Sequence, residues 1–207
     1  MPITTGPEAA VPRRMLVFVL AALAGLMVLA AGALWLGEGG RATAKASAMG
    51  GPFRLLDGAG REVTDRDLRG RYLLIYFGYT SCPDVCPTTL QTVASALDRL
   101  GAAADRIQPI FITVDPARDT PDVVGHYAAS FSPRLIGLTG SAEAIAAVEK
   151  AFRVYTEIHR FGPGADDYSV DHSSALYLVG PDGRFVAPLH ADAEAPDLAQ
   201  TLARQLH

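Results

Sequence analysis

Positions 15–37 carry no charged side chain; they read Leu, Val, Ala, Met, Phe and Gly, with a single tryptophan at Trp35. At 1.5 Å per residue such a run reaches across a hydrocarbon core of about 30 Å. With no polar face it does not read as a helix of a soluble core. The small, polar stretch 38–51 that follows reads as a tether. The pattern then changes. "FRLLDGAGREVT" predicts two short extended pieces about Asp57-Gly58-Ala59-Gly60, a hairpin signal. "RYLLIYFGYT" and "IQPIFITV" are unbroken apolar runs, the mark of strands buried on both faces. Between them Leu90, Val93, Leu97 and Leu100 recur at helical spacing until Gly101. Thr120-Pro121 opens a second helix that runs to about Ser130, and a short strand is predicted at 135–138. Ser141 caps a third helix, with Ile145, Val148, Phe152 and Tyr155 on one face. "SALYLVGPDGRFVAPL" is a hairpin around Gly180-Pro181-Asp182-Gly183, and 195–206 a last helix.

Alternating strands and helices closed by a hairpin and a helix predict an α/β, thioredoxin-like fold over 52–207. It has a central mixed sheet flanked by helices, with an extra N-terminal β-hairpin. One transmembrane helix at 15–37 precedes it. Arg13 and Arg14 stand before that span, and Glu38, Arg41 and Lys45 after it. This bias keeps 1–14 in the cytoplasm and sends the domain to the other side, the periplasm of a bacterial inner membrane crossed once. Secretory signals have apolar regions of only 7–15 residues, which favours a retained anchor. The runs Ala42-Thr43-Ala44 and Ala46-Ser47-Ala48 keep cleavage open as the alternative. About 155 residues remain for the domain, enough to bury a real core. A net charge of −4 and a pI near 5.7 argue against nucleic acid as a partner.

The only two cysteines lie in "YFGYTSCPDVCPTTL", where the first buried strand hands over to its helix. That is the carboxyl end of a strand, where α/β sheets place their sites. A helix beginning near Cys82 puts Cys82 and Cys86 at i and i+4 on one face, where the dipole's positive end lowers thiol pKa values. Pro83 and Pro87 stiffen the pair. Three readings stay open: a permanent disulfide, a redox couple, or part of a metal site. A bridge closing so short a loop would constrain the unfolded chain little. A metal needs a third ligand, and there are five histidines. His126, on a predicted helix, and His207, the last residue, read as solvated. His159 falls in an exposed loop, and His190 follows the last strand. His172 immediately precedes a buried strand, beside Asp171, which could orient its ring; on position alone it reads more readily as a turn residue. Two thiolates and an imidazole suit Cu(I), and also Cu(II) or zinc, although structural zinc wants four ligands. In "VDPARDTP", Asp119-Thr120-Pro121 reads as a helix cap, with shaping of the site's rim as the alternative. Asp84 suits the helix N-terminus by its charge, and Tyr76, Phe77 and Tyr79 read as core and site wall.

Four segments in this order resemble the Sco/SenC family of membrane-anchored copper proteins of cytochrome c oxidase assembly. They are "GRYLLIYFGYTSCPDVCPTTL", "ITVDPARDTPDVV", "FSPRLIGLTGSAEAIAAVEKAFRVY" and "DYSVDHSSALYLVGPDGRF", within about 53–189. The resemblance implies a thioredoxin fold and one copper ion, Cu(I) or Cu(II), bound by Cys82, Cys86 and His172. It implies a metallochaperone that serves the dinuclear copper site of oxidase subunit II or a similar cuproprotein, with another periplasmic copper chaperone as a further partner. Cys82 and Cys86 as the catalytic redox pair of a thiol–disulfide reductase is the alternative function, with a disulfide bond in its cycle. The tract 156–167 corresponds to a loop that is variable and mobile in the family. A peroxidase, which shares the fold, is disfavoured because the Pro, Thr and Cys pattern around its thiol is absent.

Overall fold

The computed structural model describes residues 49–206, together with Leu23, Gly25 and Met27. Apart from those three, the expected cytoplasmic segment 1–14 and span 15–37 lie outside the described residues, as does the tether except 49–51. Among the described residues no helix is long and apolar enough to cross a membrane. The chain divides into two units, Met1–Ser47 and Ala48–His207, and the second holds the α/β domain.

Strands β1 (Arg54–Asp57) and β2 (Glu62–Thr64) form the first hairpin, turned by the Asp57 carboxylate, which accepts from the Ala59 and Arg61 amides at 2.9 Å each. Strand β3 (Tyr72–Gly78) leads into helix α1 (Val85–Leu100), and β4 (Ile107–Thr113) into α2 (Pro121–Phe131). Then come β5 (Ile136–Thr139), α3 (Ala142–Phe152), β6 (Thr156–Arg160), β7 (Tyr168–His172), β8 (Ala175–Val179), β9 (Phe185–His190) and α4 (Ala195–Gln205). Seven strands form one sheet in the order β2-β1-β5-β4-β3-β8-β9. β3, β4 and β5 run parallel, and the flanking pairs are antiparallel, so the sheet is mixed as predicted.

The two-residue period of β3 explains the layering. Leu74 and Tyr76 face one way, into a core shared with Leu90, Val93 and Leu97 of α1, Val124 and Ala128 of α2, and Leu198 and Leu202 of α4. Leu73, Ile75 and Phe77 face the other way, against Ile145, Val148 and Phe152 of α3 and Tyr168 and Val170 of β7. Both faces of β3 and β4 are covered, which is why their sequences are continuously apolar rather than alternating.

Three expectations need correction. Helix α1 starts at Val85, so only Cys86 is helical and Cys82 stands three residues ahead of it. Helix α3 ends at Phe152, because Arg153 turns into the left-handed region (φ 56°); Tyr155 therefore leaves the helical face and is exposed. The tract 156–167, read as a loop, supplies β6 and the connection to β7, a two-stranded antiparallel sheet separate from the main one. Its alternation, Tyr168 and Val170 inward against Ser169 and Asp171, was the available signal.

Candidate metal centre

The cysteine loop and the end of the β6–β7 hairpin meet in a cleft of about 330 Å³ lined by Tyr79, Cys82, Val85, Tyr155, Asp171 and His172, among others. A larger cavity of about 600 Å³ lies between Pro52–Arg54 and α3, but no cysteine or histidine lines it, so size does not mark the site.

Cys86 occupies the second position of α1 and is fully buried. Its sulfur sits where β3 ends: a Cβ on Gly78 would come within 2.9 Å of Cys86 Sγ and 3.0 Å of the Phe111 ring. Glycine at 78 is what lets the helix bring this sulfur onto the sheet. No periodicity signals that requirement. Tyr76, whose hydroxyl is 3.8 Å from the sulfur, closes the inner side. Cys82 is half-buried at the mouth, and the Cys86 amide donates to its sulfur at 3.5 Å. Both are free thiols.

His172, at the end of β7, places Nε2 3.4 Å from Cys86 Sγ, across 86 residues of chain. Its Nδ1 lies 3.2 Å from the Ser173 carbonyl. With the ring proton on Nδ1, donated to that carbonyl, the Nε2 lone pair points at the sulfur. Tyr76 and Tyr79 set their rings edge-on to the imidazole, centroids 5.9 and 6.2 Å away. Asp171 does not orient this ring. It faces outward and pairs with His159 Nε2 at 3.1 Å, because neighbouring strand residues point to opposite faces. The other described histidines are elsewhere: His126 is exposed on α2 beside Asp122, and His190 is exposed beside Asp192. His207 lies outside the described residues.

Burial is the dominant electrostatic effect. It pushes the Cys86 thiol up to about 12, a backbone hydrogen bond with Tyr79 working the other way. The expected lowering by the helix dipole is therefore overturned at Cys86, since desolvation of a fully buried thiolate outweighs one helix end. Burial also lowers the His172 pKa, which keeps the imidazole neutral, its ligand form. Among the described residues no three Cys, His, Asp or Glu side chains form a finished metal site. The arrangement is a close Cys86–His172 pair with Cys82 beside it. A 3.4 Å separation lies within two bonds of about 2.0–2.3 Å from one ion, and two sulfurs with one imidazole nitrogen form a soft donor set. The residues fit a copper ion.

A family model described as SCO1/SenC matches residues 41–207. Protein sco1 of Schizosaccharomyces pombe is 44% identical over 156 residues, covering 74% of this chain and 59% of that protein. The mitochondrial SCO1 homolog of Homo sapiens is 39% identical over 164 residues, covering 76% of this chain and 53% of that protein. The chain thus spans between half and two thirds of the length of these relatives. Among solved structures, copper-bound ScoI of Bradyrhizobium japonicum is 45% identical with a TM-score of 0.70, covering 76% of this chain and 99% of that one. Copper-bound yeast Sco1 is 37% identical with a TM-score of 0.71, covering 77% and 88%.

Proposed function

The chain belongs to the SCO1/SenC family, and on that premise we propose that it is a copper-binding metallochaperone for assembly of the dinuclear copper site of cytochrome c oxidase. One copper ion is its cargo, held by Cys82, Cys86 and His172. The observation that carries this reading is the approach of His172 Nε2 to Cys86 Sγ, 3.4 Å apart although 86 residues separate them in the chain. Both thiols lose their protons on binding, the neutral imidazole needs to lose none at Nε2, and Cys82 at the mouth is the ligand that a partner reaches first. The partner is oxidase subunit II or a similar cuproprotein, with another periplasmic copper chaperone as donor. The uncharged run 15–37 supports a single-pass inner-membrane protein with its C-terminal domain in the periplasm.

Copper stoichiometry and affinity of the full chain, loaded under reducing conditions, test this. One copper per chain is expected. His172→Ala should weaken Cu(II) binding by more than the roughly 10–100-fold typical of losing an outer-shell partner, and Cu(I) binding less, because two thiolates still hold Cu(I). Failure to take up copper with both cysteines intact rules the reading out.

One feature favours the reductase as a second reading: Cys82 is accessible while Cys86 is buried behind it. In that chemistry the Cys82 thiolate attacks a partner disulfide and releases one partner thiolate. Cys86 then displaces the second, leaving Cys82 and Cys86 oxidised and the partner reduced. Cys86→Ser should trap the mixed disulfide through Cys82; absence of any trapped species under oxidised-partner conditions removes this role.

A further inference from the structure

Segment 115–119, between β4 and α2, carries two almost fully buried carboxylates, and neither is a ligand of the centre. The helix-cap reading of Asp119-Thr120 does not account for them. Thr120 is the N-cap of α2 but makes no side-chain cap bond, and Asp119 points back into the molecule. The Asp119 carboxylate accepts from the Thr80 amide at 2.9 Å, the Thr80 hydroxyl at 2.6 Å and the Thr113 hydroxyl at 2.6 Å. Its backbone carbonyl accepts from Thr139 at 2.8 Å, tying it to β5 as well. Thr80 is two residues from Cys82, so Asp119 grips the cysteine loop directly.

Asp115 and Arg118 grip the other half. One Asp115 oxygen accepts from Arg118 Nε at 2.5 Å, the other from the Tyr168 hydroxyl at 2.8 Å. Arg118 Nη1 donates to the Asp166 and Tyr168 carbonyls at 3.2 and 3.1 Å. Its guanidinium lies 3.7 Å over the Tyr168 ring and 5.7 Å from that of Tyr79. Tyr168 opens β7, and His172 ends it. The hairpin has no ladder to the main sheet, and an isolated two-stranded sheet is marginal by itself. The place of His172 therefore depends on what docks the hairpin; Arg118 and Asp115 supply polar contacts at its Tyr168 end, and Tyr79 adds a hydrogen bond to the Val170 backbone. Through Nε and Nη1 its planar group reaches a carboxylate and two carbonyls together, a geometry that a lysine ammonium does not reproduce.

We propose that Arg118, braced by Asp115, and Asp119 are positioning residues of the metal centre: Arg118 holds the hairpin bearing His172, and Asp119 the loop bearing Cys82. One short segment thereby sets the distance between the cysteine and histidine halves. The proposal rests on the copper reading and sorts the two grips by oxidation state. Loosening the histidine half acts on Cu(II), which relies on the third ligand. Loosening the cysteine half acts on both states.

The test uses the full chain in mild detergent with Arg118→Met, Tyr168→Phe and Thr80→Val. Thr80→Val stands in for Asp119 because emptying a buried carboxylate site risks unfolding. Cu(I) and Cu(II) affinities are measured by chelator competition, with the sulfur-to-copper absorption of the Cu(II) form. Hydrogen exchange of amides 168–172 and the alkylation rate of Cys82 are measured without metal. Arg118→Met should lower Cu(II) affinity about tenfold or more while Cu(I) affinity changes much less. It should also shift the absorption towards that of His172→Ala and speed exchange at 168–172. Tyr168→Phe should do the same more weakly. Thr80→Val should lower both affinities together and change Cys82 alkylation. An unchanged Cu(II)-to-Cu(I) affinity ratio in Arg118→Met, or unchanged exchange at 168–172, overturns the proposal. If the wild-type chain takes up no copper, the copper reading fails, and exchange and alkylation still decide the positioning claim.

Discussion

Cys86 is enclosed by Gly78 beneath, the Tyr76 hydroxyl on its inner side and His172 across the cleft. Every neighbour limits where the sulfur can go. Adding one carbon at Gly78 should therefore act on the centre as much as on stability. Gly78→Ala should cost about 1–3 kcal/mol, the usual range for overpacking. It should also lower copper affinity by about tenfold, as loss of a ligand's support does. Denaturant titration and chelator competition read the two effects separately. Normal copper affinity in a folded Gly78→Ala chain contradicts the role given to Gly78. A local substitution pattern would never single it out, because the atom it makes room for is eight residues ahead on another element.

At the scale of elements, the joint between α3 and β6 carries a titration of its own. Glu149 in the last turns of α3 is half-buried, and burial raises its carboxyl from 4.5 to about 7, with a hydrogen bond to Thr156 opposing the shift. Thr156 opens β6 and pairs with His172 across the hairpin. The sign follows from linkage. The folded chain holds this proton while the unfolded chain gives it up above pH 4.5. The stability it contributes is thus complete below 4.5 and lost as pH rises towards 7. Glu149→Gln should flatten the stability curve across that window and be more stable than the wild-type residue at pH 8. Denaturation midpoints at pH 5 and pH 8 check it; equal slopes for both chains discard the assignment. This joint is where sequence periodicity misled, since Tyr155 keeps helical spacing with Phe152 although Arg153 has already ended the helix.

For the whole molecule, the proposed ligand set joins parts of the fold that are otherwise linked through the core. Cys82 and Cys86 belong to the β3–α1 handover, and His172 to a hairpin outside the main sheet. A bound ion that touches both adds stability only to the folded chain. Copper at about a hundred times its dissociation constant should add about 2.7 kcal/mol, equivalent to roughly 5–10 °C in Tm for a domain of this size. Scanning calorimetry with and without copper, and again after chelation, measures this. The rise should disappear in Cys82→Ser and shrink in His172→Ala. A Tm that ignores copper in the loaded wild-type chain contradicts binding across the two parts.

Much of this was legible in the chain alone. The continuous apolar runs of β3 and β4, the stripe of α1, the hairpin turns and the cysteine pair at a strand's end are all local patterns. They are set by side-chain period and turn chemistry, which a sequence carries on its face. His172 stood out only through resemblance, because a histidine before a strand has no local mark of ligation. The hairpin that presents it, the room at Gly78 and the work of Asp119 and Arg118 were decided by tertiary structure. Asp119 meets Thr80 across 39 residues, Tyr168 meets Asp115 across 53, and His172 meets Cys86 across 86. Local pattern reports which face of an element is buried. It does not report which distant group a buried carboxylate will accept from, since that depends on where the sheet order brings the strand ends together.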